Sequence, residues 1–444
     1  MQTAPDYNDG DKNYLTIAEL GRLIREKTVS PVDIVKDCLQ RIQQLNPTLN
    51  AFIQVNAEQA IKQAEICETE IRNGNWKGPL HGIPVGVKDM FDTAGTRTTA
   101  GFEYFKDRIP EKDAEVVTKL KAAGGIIIGK LNMHELAMGT TSVVSYFGAV
   151  HNPWNTNYIA GGSSGGSAAA LAGGLCYATI DTDAIGSCRL PASCCGVTGF
   201  KPTFGLLSAK GILEGEAADE MIMSLAHTAF MSRTAEDAAS VLNVLFDSEA
   251  NHNGSRPGKS SNLGTTETLT IGIVKNFSAT NEVRKHFLNA VQVFSSLGCK
   301  TVDIDAPLAF PNVDIGRMKS DRQTVAESLF RDVEVLLLPT TTEVTPRIER
   351  ALERERTRSR KDVAFSANNT FFCNYYGLPA ISVPCGFDKN GLPLGLQIVG
   401  KPFEDAKVLD IAERYQCATR WHLYRPWVNA SAPHGSEKFK WMKL

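Results

Sequence analysis

The chain has 444 residues, with 43% hydrophobic and 22% charged side chains and a formal net charge of −2 at pH 7. It can bury a large core, and its balanced charge is not that of a protein that binds nucleic acid or an anionic membrane. No run reaches the roughly 18 to 20 apolar residues of a membrane helix. We therefore expect a cytoplasmic protein whose partner is a small molecule.

The first 75 residues predict a polar tail followed by a layer of amphipathic helices. Thr16 and Glu19 have capping-box spacing, and Ser30 before Pro31 supplies an N-cap with proline at the first helical position. Apolar residues then recur at helical spacing. They are Ile34, Val35, Cys38, Leu39 and Ile42.

Residues 76–425 show short apolar runs that alternate with helical patterns. This alternation is typical of an α/β protein, and we expect a single large domain with a central mixed, largely parallel β-sheet covered by helices on both faces. Residues 426–444 are interpreted as a C-terminal tail. The predicted strands are 82–87, 125–128, 269–274, 333–338 and 380–384, the predicted helices 113–123 and 282–297.

Two segments are predicted to lie at the surface. Residues 251–268 are rich in Ser, Gly, Thr and Asn, which favours an exposed connection between two parts of the sheet. Residues 347–362 are densely charged with both signs interleaved, which favours a solvated helix face over a nucleic-acid patch.

The ten cysteines show no C-x-x-C spacing, so we predict buried reduced thiols and neither disulfides nor a metal site. Three of them, Cys188, Cys194 and Cys195, lie close to a serine discussed below. A thiol nucleophile is conceivable there, but their apolar neighbours favour packing.

Two serines stand 24 residues apart in glycine-containing sequence. Ser163 lies in GGSSGGS at 161–167, and Ser187 ends DTDAIGS at 181–187. Ser163 also fits the G-x-S-x-G pattern of a nucleophile elbow with a downstream Asp and His, and such a glycine loop alone would suit a phosphate. No Gly-Lys-Ser/Thr follows, and the histidines after the loop stand in no distinctive context.

Serine attacks an amide only when a base removes its proton and donors stabilise the oxyanion. The short turn formed by Ala184, Ile185, Gly186 and Ser187 can direct successive backbone N–H groups at an anion. Asp183 and Arg189 flank this turn with opposite charges. We expect them to pair and hold its shape.

Lys88 is the candidate base, 75 residues before Ser163. It follows an apolar run at the end of a predicted strand. A lysine with the ordinary pKa of about 10.4 is neutral in only about one molecule in a few thousand at pH 7. Desolvation can lower this pKa by several units.

These three residues together resemble the Ser-Ser-Lys triad of the amidase signature family. The resemblance extends from about Leu15 to about Tyr415. It includes HGIPVGVKD at 81–89, GFKPTFG at 199–205, NYYGLPAISVP at 374–384 and GLPLGLQ at 391–397.

The resemblance implies the amidase signature fold and a role for each site residue. Ser187 would be the nucleophile, Ser163 a bridging serine after a cis peptide bond, and Lys88 the base. Gly162 and Ser164 would support the network, and the N–H groups of residues 184–187 would form the oxyanion hole. No cofactor or metal is implied.

Three departures from the family pattern bear on substrate choice. Ile185 stands where the family usually has glycine, which would alter the oxyanion hole if that position needs a positive φ. Residues 214–220 are an acidic addition that suits a lid or specificity loop, or else a surface insertion without a role in binding. Between residues 305 and 333 the chain has only a short connection where relatives carry a longer helical cover, so we expect an open pocket.

We therefore predict an amidase that cleaves an amide C–N bond through an acyl-enzyme, with aryl amides and carbamates (urethanes) as candidate substrates. It would act as a monomer or homodimer. The alternatives are a hydrolase of allophanate or another ureido acid, a glutamine-hydrolysing amidotransferase subunit, and a non-catalytic binding protein. The pocket residues of interest are Phe91, Met133, Met138, Tyr146 and Phe372, which are typical of core positions.

Overall fold

The computed structural model describes residues 11–217, 219–246, 269–308, 314–357 and 363–426. The predicted connection at 251–268 and most of the predicted C-terminal tail lie outside these ranges. The strands are β1 (Phe52–Val55), β2 (Pro84–Lys88), β3 (Ile126–Leu131), β4 (His151–Asn152), β5 (Asn155–Ile159), β6 (Ala178–Asp183), β7 (Thr198–Lys201), β8 (His227–Ser232), β9 (Thr270–Val274), β10 (Lys300–Ile304), β11 (Val335–Pro339), β12 (Ala380–Phe387) and β13 (Pro393–Gly400).

The α-helices surround these strands and alternate with them along much of the chain. They are α1 (Ile17–Arg25), α2 (Pro31–Leu49), α3 (Ala57–Arg72), α4 (Glu115–Ala122), α5 (Gly165–Ala172), α6 (Arg189–Cys195), α7 (Glu220–Leu225), α8 (Ala235–Leu245), α9 (Asn281–Ser296), α10 (Ile315–Leu329), α11 (Ile348–Thr357), α12 (Phe371–Tyr375) and α13 (Asp405–Thr419).

One mixed sheet of eleven strands runs through the molecule in the order β1-β3-β2-β6-β8-β7-β12-β13-β11-β9-β10, and β4 and β5 form a separate pair. The α/β class and the mixed sheet are confirmed. The expectation of a largely parallel sheet is wrong, because six of the ten ladders between the described strands are antiparallel and four are parallel. Strand β8 lies antiparallel between β6 and β7, and β12 lies antiparallel between β7 and β13.

Strands β2, β3, β11 and β13 carry near-continuous apolar runs, which is typical of strands that helices cover on both faces. Every position of β2, β3, β6, β11 and β13 is buried. Helices α5 and α6 pack on each other and on the sheet, and α8 packs with α1, α4 and α13. The edge strand β10 is largely exposed and carries charged side chains.

The two predicted helix starts near the N-terminus are confirmed, whereas residues 1–10 of the predicted polar tail lie outside the described residues. The Thr16 hydroxyl accepts from the Glu19 N–H at 3.1 Å, and the Glu19 carboxylate accepts from the Thr16 N–H at 2.8 Å, which is a capping box. Ser30 caps α2, and Pro31 is its first residue. The layer is not purely helical, since β1 pairs with β3 at the edge of the sheet.

The predicted charged helix is present as α11, with all but one of its described side chains at least partly exposed. All ten cysteines lie in the described ranges without disulfides, and eight are buried, while Cys299 is half-buried and Cys417 exposed. None of the described helices has the length and apolar character needed to span a membrane.

Candidate active site

Lys88 ends β2 and is wholly buried. Its ammonium nitrogen lies 2.6 Å from the Ser163 hydroxyl and 2.8 Å from the Thr182 hydroxyl. Burial lowers the pKa of Lys88 to about 8, although the nearby carboxyl of Asp181 opposes the change. At pH 7 about a tenth of the molecules would then hold a neutral Lys88, a few hundred times more than for an ordinary lysine.

Lys88 differs in its partners from the two other wholly buried lysines of the described chain. Lys130 lies 3.6 Å from the Asp89 carboxylate, and it donates to the Phe91 carbonyl at 2.6 Å and the Thr98 hydroxyl at 2.8 Å. Lys201 donates to backbone carbonyls, which have no proton to give. Of the three, Lys88 is the one that faces hydroxyls without a carboxylate at ion-pair distance among the described residues.

The loop that carries Ser163 joins β5 to α5. Gly161 and Gly162 take positive φ angles of 84° and 57°, and these reverse the chain before the serine. The predicted cis peptide bond before Ser163 is wrong for this structure, which has no cis bond in its described ranges. Two left-handed glycines turn the backbone here while the bond stays trans.

Gly162 fixes how closely the two serine segments approach. A Cβ at this position would lie 2.3 Å from the Pro191 side chain and 2.8 Å from the Ser187 carbonyl oxygen. The Ser164 N–H donates to that same carbonyl at 3.2 Å. Ser163 and Ser187, far apart in sequence, are thus held on two backbone segments in direct contact.

Ser187 lies in the turn between β6 and α6 and is 3% exposed. Its hydroxyl makes no hydrogen bond to any described residue. The hydroxyl of Ser163 is bound by a lysine, at 2.6 Å. The nucleophile elbow, which needs a histidine to activate Ser163, therefore finds no support in these contacts.

The turn before Ser187 contains one backbone N–H group that is hydrogen-bonded to a described residue and three that are not. The Gly186 N–H donates to the Asp183 carboxylate at 2.8 Å. Within the described residues, the N–H groups of Ala184, Ile185 and Ser187 have no acceptor. Gly186 takes φ of 130° and Ile185 has no positive φ, so the branched side chain at 185 introduces no backbone strain.

Asp183 and Arg189 form the predicted ion pair, and both are wholly buried. Two guanidinium nitrogens meet the two carboxylate oxygens at 2.9 and 3.0 Å. The pKa of Asp183 is lowered, since the guanidinium and its hydrogen bonds outweigh the burial that would raise it. The same carboxylate accepts from the N–H groups of Gly186 and Cys188, so the pair holds both sides of Ser187.

Arg189 has further partners that sequence reasoning missed. Its guanidinium donates to Asn374 Oδ1 at 2.6 Å and Gln397 Oε1 at 2.7 Å. Asn374 also donates to the Asp183 carbonyl at 2.8 Å. Both residues lie in motifs that this chain shares with the amidase signature family, at 374–384 and 391–397, and this shared sequence could have marked them as candidates.

Ser142 is a second missed residue. Its hydroxyl donates to the Gly162 carbonyl at 2.9 Å and accepts from the Gly165 N–H at 3.0 Å. It takes a left-handed φ of 55°, uncommon for a residue with a side chain. Ser164, predicted as a supporting residue, places its hydroxyl 3.5 Å from the Thr182 carbonyl.

The acidic segment after β7 lies beside the strand that carries Lys88. The Leu213 N–H donates to the Met90 carbonyl at 3.2 Å. Arg108 binds Asp92 at 2.6 Å and Glu216 at 3.3 Å, and thereby fastens the segment.

Of the five predicted pocket residues, Phe91, Met133 and Phe372 are buried, whereas Met138 and Tyr146 are exposed.

One group of potential metal ligands occurs in the described ranges, at Cys67, Glu70 and His81. His81 Nδ1 accepts from the Lys77 N–H at 3.1 Å, so the proton of the neutral ring lies on Nε2, 2.9 Å from the Glu70 carboxylate. The Cys67 thiol donates to the Gly124 carbonyl. Hydrogen bonds thus satisfy all three side chains.

Fold and site together define an α/β protein in which a buried lysine binds a serine on a glycine-rich loop. The chain belongs to the amidase signature family of hydrolases, since the family profile described as Amidase matches residues 33–316 and 314–409.

Individual proteins of related sequence or structure are consistent with this family assignment. A glutamyl-tRNA(Gln) amidotransferase subunit of Marinomonas sp. (strain MWYL1) is 32% identical, over 93% of this chain and 98% of its own. A crystal structure of an amidase is 27% identical with a TM-score of 0.77, covering 91% of this chain and 99% of that one. The crystal structure of the corresponding amidotransferase subunit from Thermotoga maritima is 27% identical with a TM-score of 0.72, covering 93% and 96%.

Proposed function

We propose that this hydrolase cleaves an amide C–N bond with Ser187 as nucleophile, Ser163 as proton relay and Lys88 as base. The observation that carries the proposal is the 2.6 Å contact between Lys88 and Ser163 in a site dry enough to lower the pKa of the lysine. A general base needs a pKa near the working pH, and about 8 meets that need.

The reaction begins with transfer of protons along the relay from Ser187 towards Lys88, which leaves the Ser187 oxygen free to attack. Neutral Lys88 takes the proton of Ser163 while Ser163 takes that of Ser187, whose oxygen attacks the carbonyl carbon. The proton then returns to the leaving nitrogen as the C–N bond breaks. Water repeats the sequence on the acyl-enzyme and releases the acid.

The oxyanion donors follow from which N–H groups are unengaged within the described residues. We assign the N–H groups of Ala184, Ile185 and Ser187 to this role, and Gly186 to shaping the turn through its bond to Asp183. Losing one such donor typically lowers kcat by about 100- to 1,000-fold. Gly162 and Ser164 hold the relay serine against the Ser187 carbonyl.

The substrate class follows from how the site is covered. The family match breaks into two pieces that meet at residues 314–316, the region where a longer cover was expected to be missing. The structure has the single helix α10 in the described part of this region. We therefore favour amides with a bulky or aryl group, and carbamates of similar shape. The segment fastened by Arg108 would form the opposite wall.

Glutamine hydrolysis within an amidotransferase is the second candidate, because relatives about 32% identical over nearly the whole chain carry that name. That function would need partner subunits, and it predicts little activity in isolation. Ureido acids such as allophanate are less favoured. For such an acid, Arg322 on α10 would be the anchor, since it contacts backbone carbonyls and no carboxylate in the described ranges.

The test is hydrolysis of a short aliphatic amide, an anilide, an aryl carbamate, allophanate and glutamine by the purified chain. Ser187→Ala and Lys88→Met should abolish turnover. Ser232→Ala, which alters a buried serine bonded to the Thr234 carbonyl, is the matched control and should retain it.

Mass spectrometry should detect the acyl group on Ser187 when a slow carbamate is used. Turnover that survives Ser187→Ala would refute the proposed nucleophile. Little turnover of any substrate by the folded, isolated chain, with glutamine the one substrate still hydrolysed, would favour the amidotransferase. The cytoplasmic location and the monomer or homodimer state stay predictions.

A further inference from the structure

Asp181 is a buried carboxyl next to the site that the proposed reaction does not use. It lies on β6 and is wholly buried. The Ser167 hydroxyl donates to one of its oxygens and the Thr179 hydroxyl to the other, each at 2.5 Å. Among the described residues, no Lys, Arg or His nitrogen lies within ion-pair distance of it.

The sheet places Asp181 beside Lys88. Strands β2 and β6 are parallel, with Val85 opposite Ala178 and Val87 opposite Ile180. One step further in this register, Lys88 lies beside Asp181. Side chains at matched positions of neighbouring strands project to the same face of a sheet.

The other titratable groups around this pair do not offset the carboxylate. Asp183 also acts on Lys88, but Arg189 compensates its charge. Burial raises the pKa of the Cys188 and Cys176 thiols, so both stay uncharged near pH 7. Among the described residues that act on Lys88, Asp181 is thus the one whose negative charge no cation compensates.

We propose that Asp181 is a positioning residue whose negative charge holds Lys88 as an ammonium ion and thereby sets the pH at which Lys88 begins to accept a proton from Ser163. Only the role of Lys88 as base is taken from the proposed function. Each of the two charges offsets part of the cost of burying the other. Burial raises the pKa of Asp181 to about 6, whereas the hydrogen bonds from Ser167 and Thr179 and the charge of Lys88 lower it.

Electrostatics determines the direction in which removal of Asp181 should change the pKa of Lys88. A negative charge nearby raises the pKa of an amine, so removing it lets Lys88 lose its proton at lower pH. In Asp181→Asn we therefore expect the acidic limb of kcat/KM to move to lower pH by about 1 pH unit, a typical effect of one close charge. Activity at pH 6 relative to pH 8 should rise.

Asp237→Asn is the matched control, because Asp237 is a wholly buried carboxyl on α8 that binds the Ile17 N–H. It should leave the pH profile in place. A purely structural role of Asp181 would lower kcat at every pH without moving the limb, and that result would overturn the proposal. If Asp181→Asn does not fold, Ser167→Ala should shift the limb in the same direction by less, and an unmoved limb would count against the proposal.

A second readout needs no substrate. With [ε-13C]lysine incorporated, the NMR signal that disappears in Lys88→Met reports the titration of Lys88, and its midpoint should fall by about 1 pH unit in Asp181→Asn. A fallen midpoint in a chain that hydrolyses no amide would sustain the inference and refute the proposed function. An unchanged midpoint in an active enzyme would refute the inference alone.

Discussion

Asp181 and Asp183 stand two residues apart on the same face of β6, and both are wholly buried, but their surroundings differ. Asp183 meets a guanidinium and several N–H groups, which lower its pKa. Asp181 meets two hydroxyls, and burial prevails and raises its pKa to about 6. One carboxyl is therefore a permanent anchor for the turn at Ser187. The other can change charge near neutral pH, beside the lysine.

Removing the anchor should have the largest effect. Arg189→Met leaves the charge of Asp183 buried without its partner, and breaking such a pair typically lowers the free energy of unfolding by about 3 to 5 kcal/mol. Urea unfolding at pH 7 measures this. Asp183→Asn combined with Arg189→Met should recover part of the loss, whereas equal losses in the single and double variants would contradict the pairing argument.

The two carboxyls should also differ in how stability depends on pH. Asp183 has a lowered pKa, so its stabilisation is present above the unfolded-state pKa of about 4 and stays constant from about pH 4.5 to 7. Asp181 has a raised pKa, so its stabilisation is full below about pH 4 and is lost as the pH rises through about 6.

Urea unfolding of wild type, Asp181→Asn and Asp183→Asn at several pH values tests this contrast. Relative to Asp181→Asn, the wild type should lose about 2 kcal/mol between pH 4 and 7. Relative to Asp183→Asn, it should keep a constant advantage from about pH 4.5 upward. Parallel curves for the two variants would remove the distinction between the carboxyls.

Thr182 lies between the two carboxyls and accepts a hydrogen bond from Lys88 at 2.8 Å. Thr182→Val removes this partner of the lysine. A hydrogen bond to a charged group contributes about 1.5 to 3 kcal/mol, so we expect kcat/KM to fall by about 10- to 100-fold. Thr182→Ser should restore most of the rate, and a valine variant as active as wild type would show that Lys88 needs no second partner.

Ile185→Gly should have the smallest effect. Ile185 has no positive φ, so glycine relieves no strain there. It adds chain freedom, which costs about 0.5 to 1 kcal/mol of stability, and it removes the packing of the partly buried isoleucine against the core. Thermal unfolding and kcat measure the two consequences. A gain in kcat above about threefold would mean that the isoleucine distorts the oxyanion donors after all.

Local sequence signals predict many of the helices and strands. The capping box at Thr16 and the apolar runs of β2, β3 and β11 depend on neighbours a few residues away, and periodicity records those neighbours. The contact between Lys88 and Ser163 follows only from the family motifs. Spacing alone cannot place two residues 75 positions apart within 2.6 Å.

The missed features all depend on distant partners or on backbone geometry. Periodicity does not say which strands pair, so it does not predict the many antiparallel ladders. Arg189 binds Asn374 and Gln397, which are 185 and 208 residues away. Asp181 stands in the quoted segment, but its role depends on a register between β2 and β6 that only the assembled sheet provides.

Gly162 also restricts how this protein can evolve. Any side chain there would collide with Pro191 and with the Ser187 carbonyl, so the two segments that carry Ser163 and Ser187 are interlocked and cannot change independently. We therefore expect inherited changes in substrate range to accumulate in more exposed segments, such as those of Met138 and Tyr146. A laboratory library aimed at new substrates should vary this periphery and leave the interlocked loops untouched.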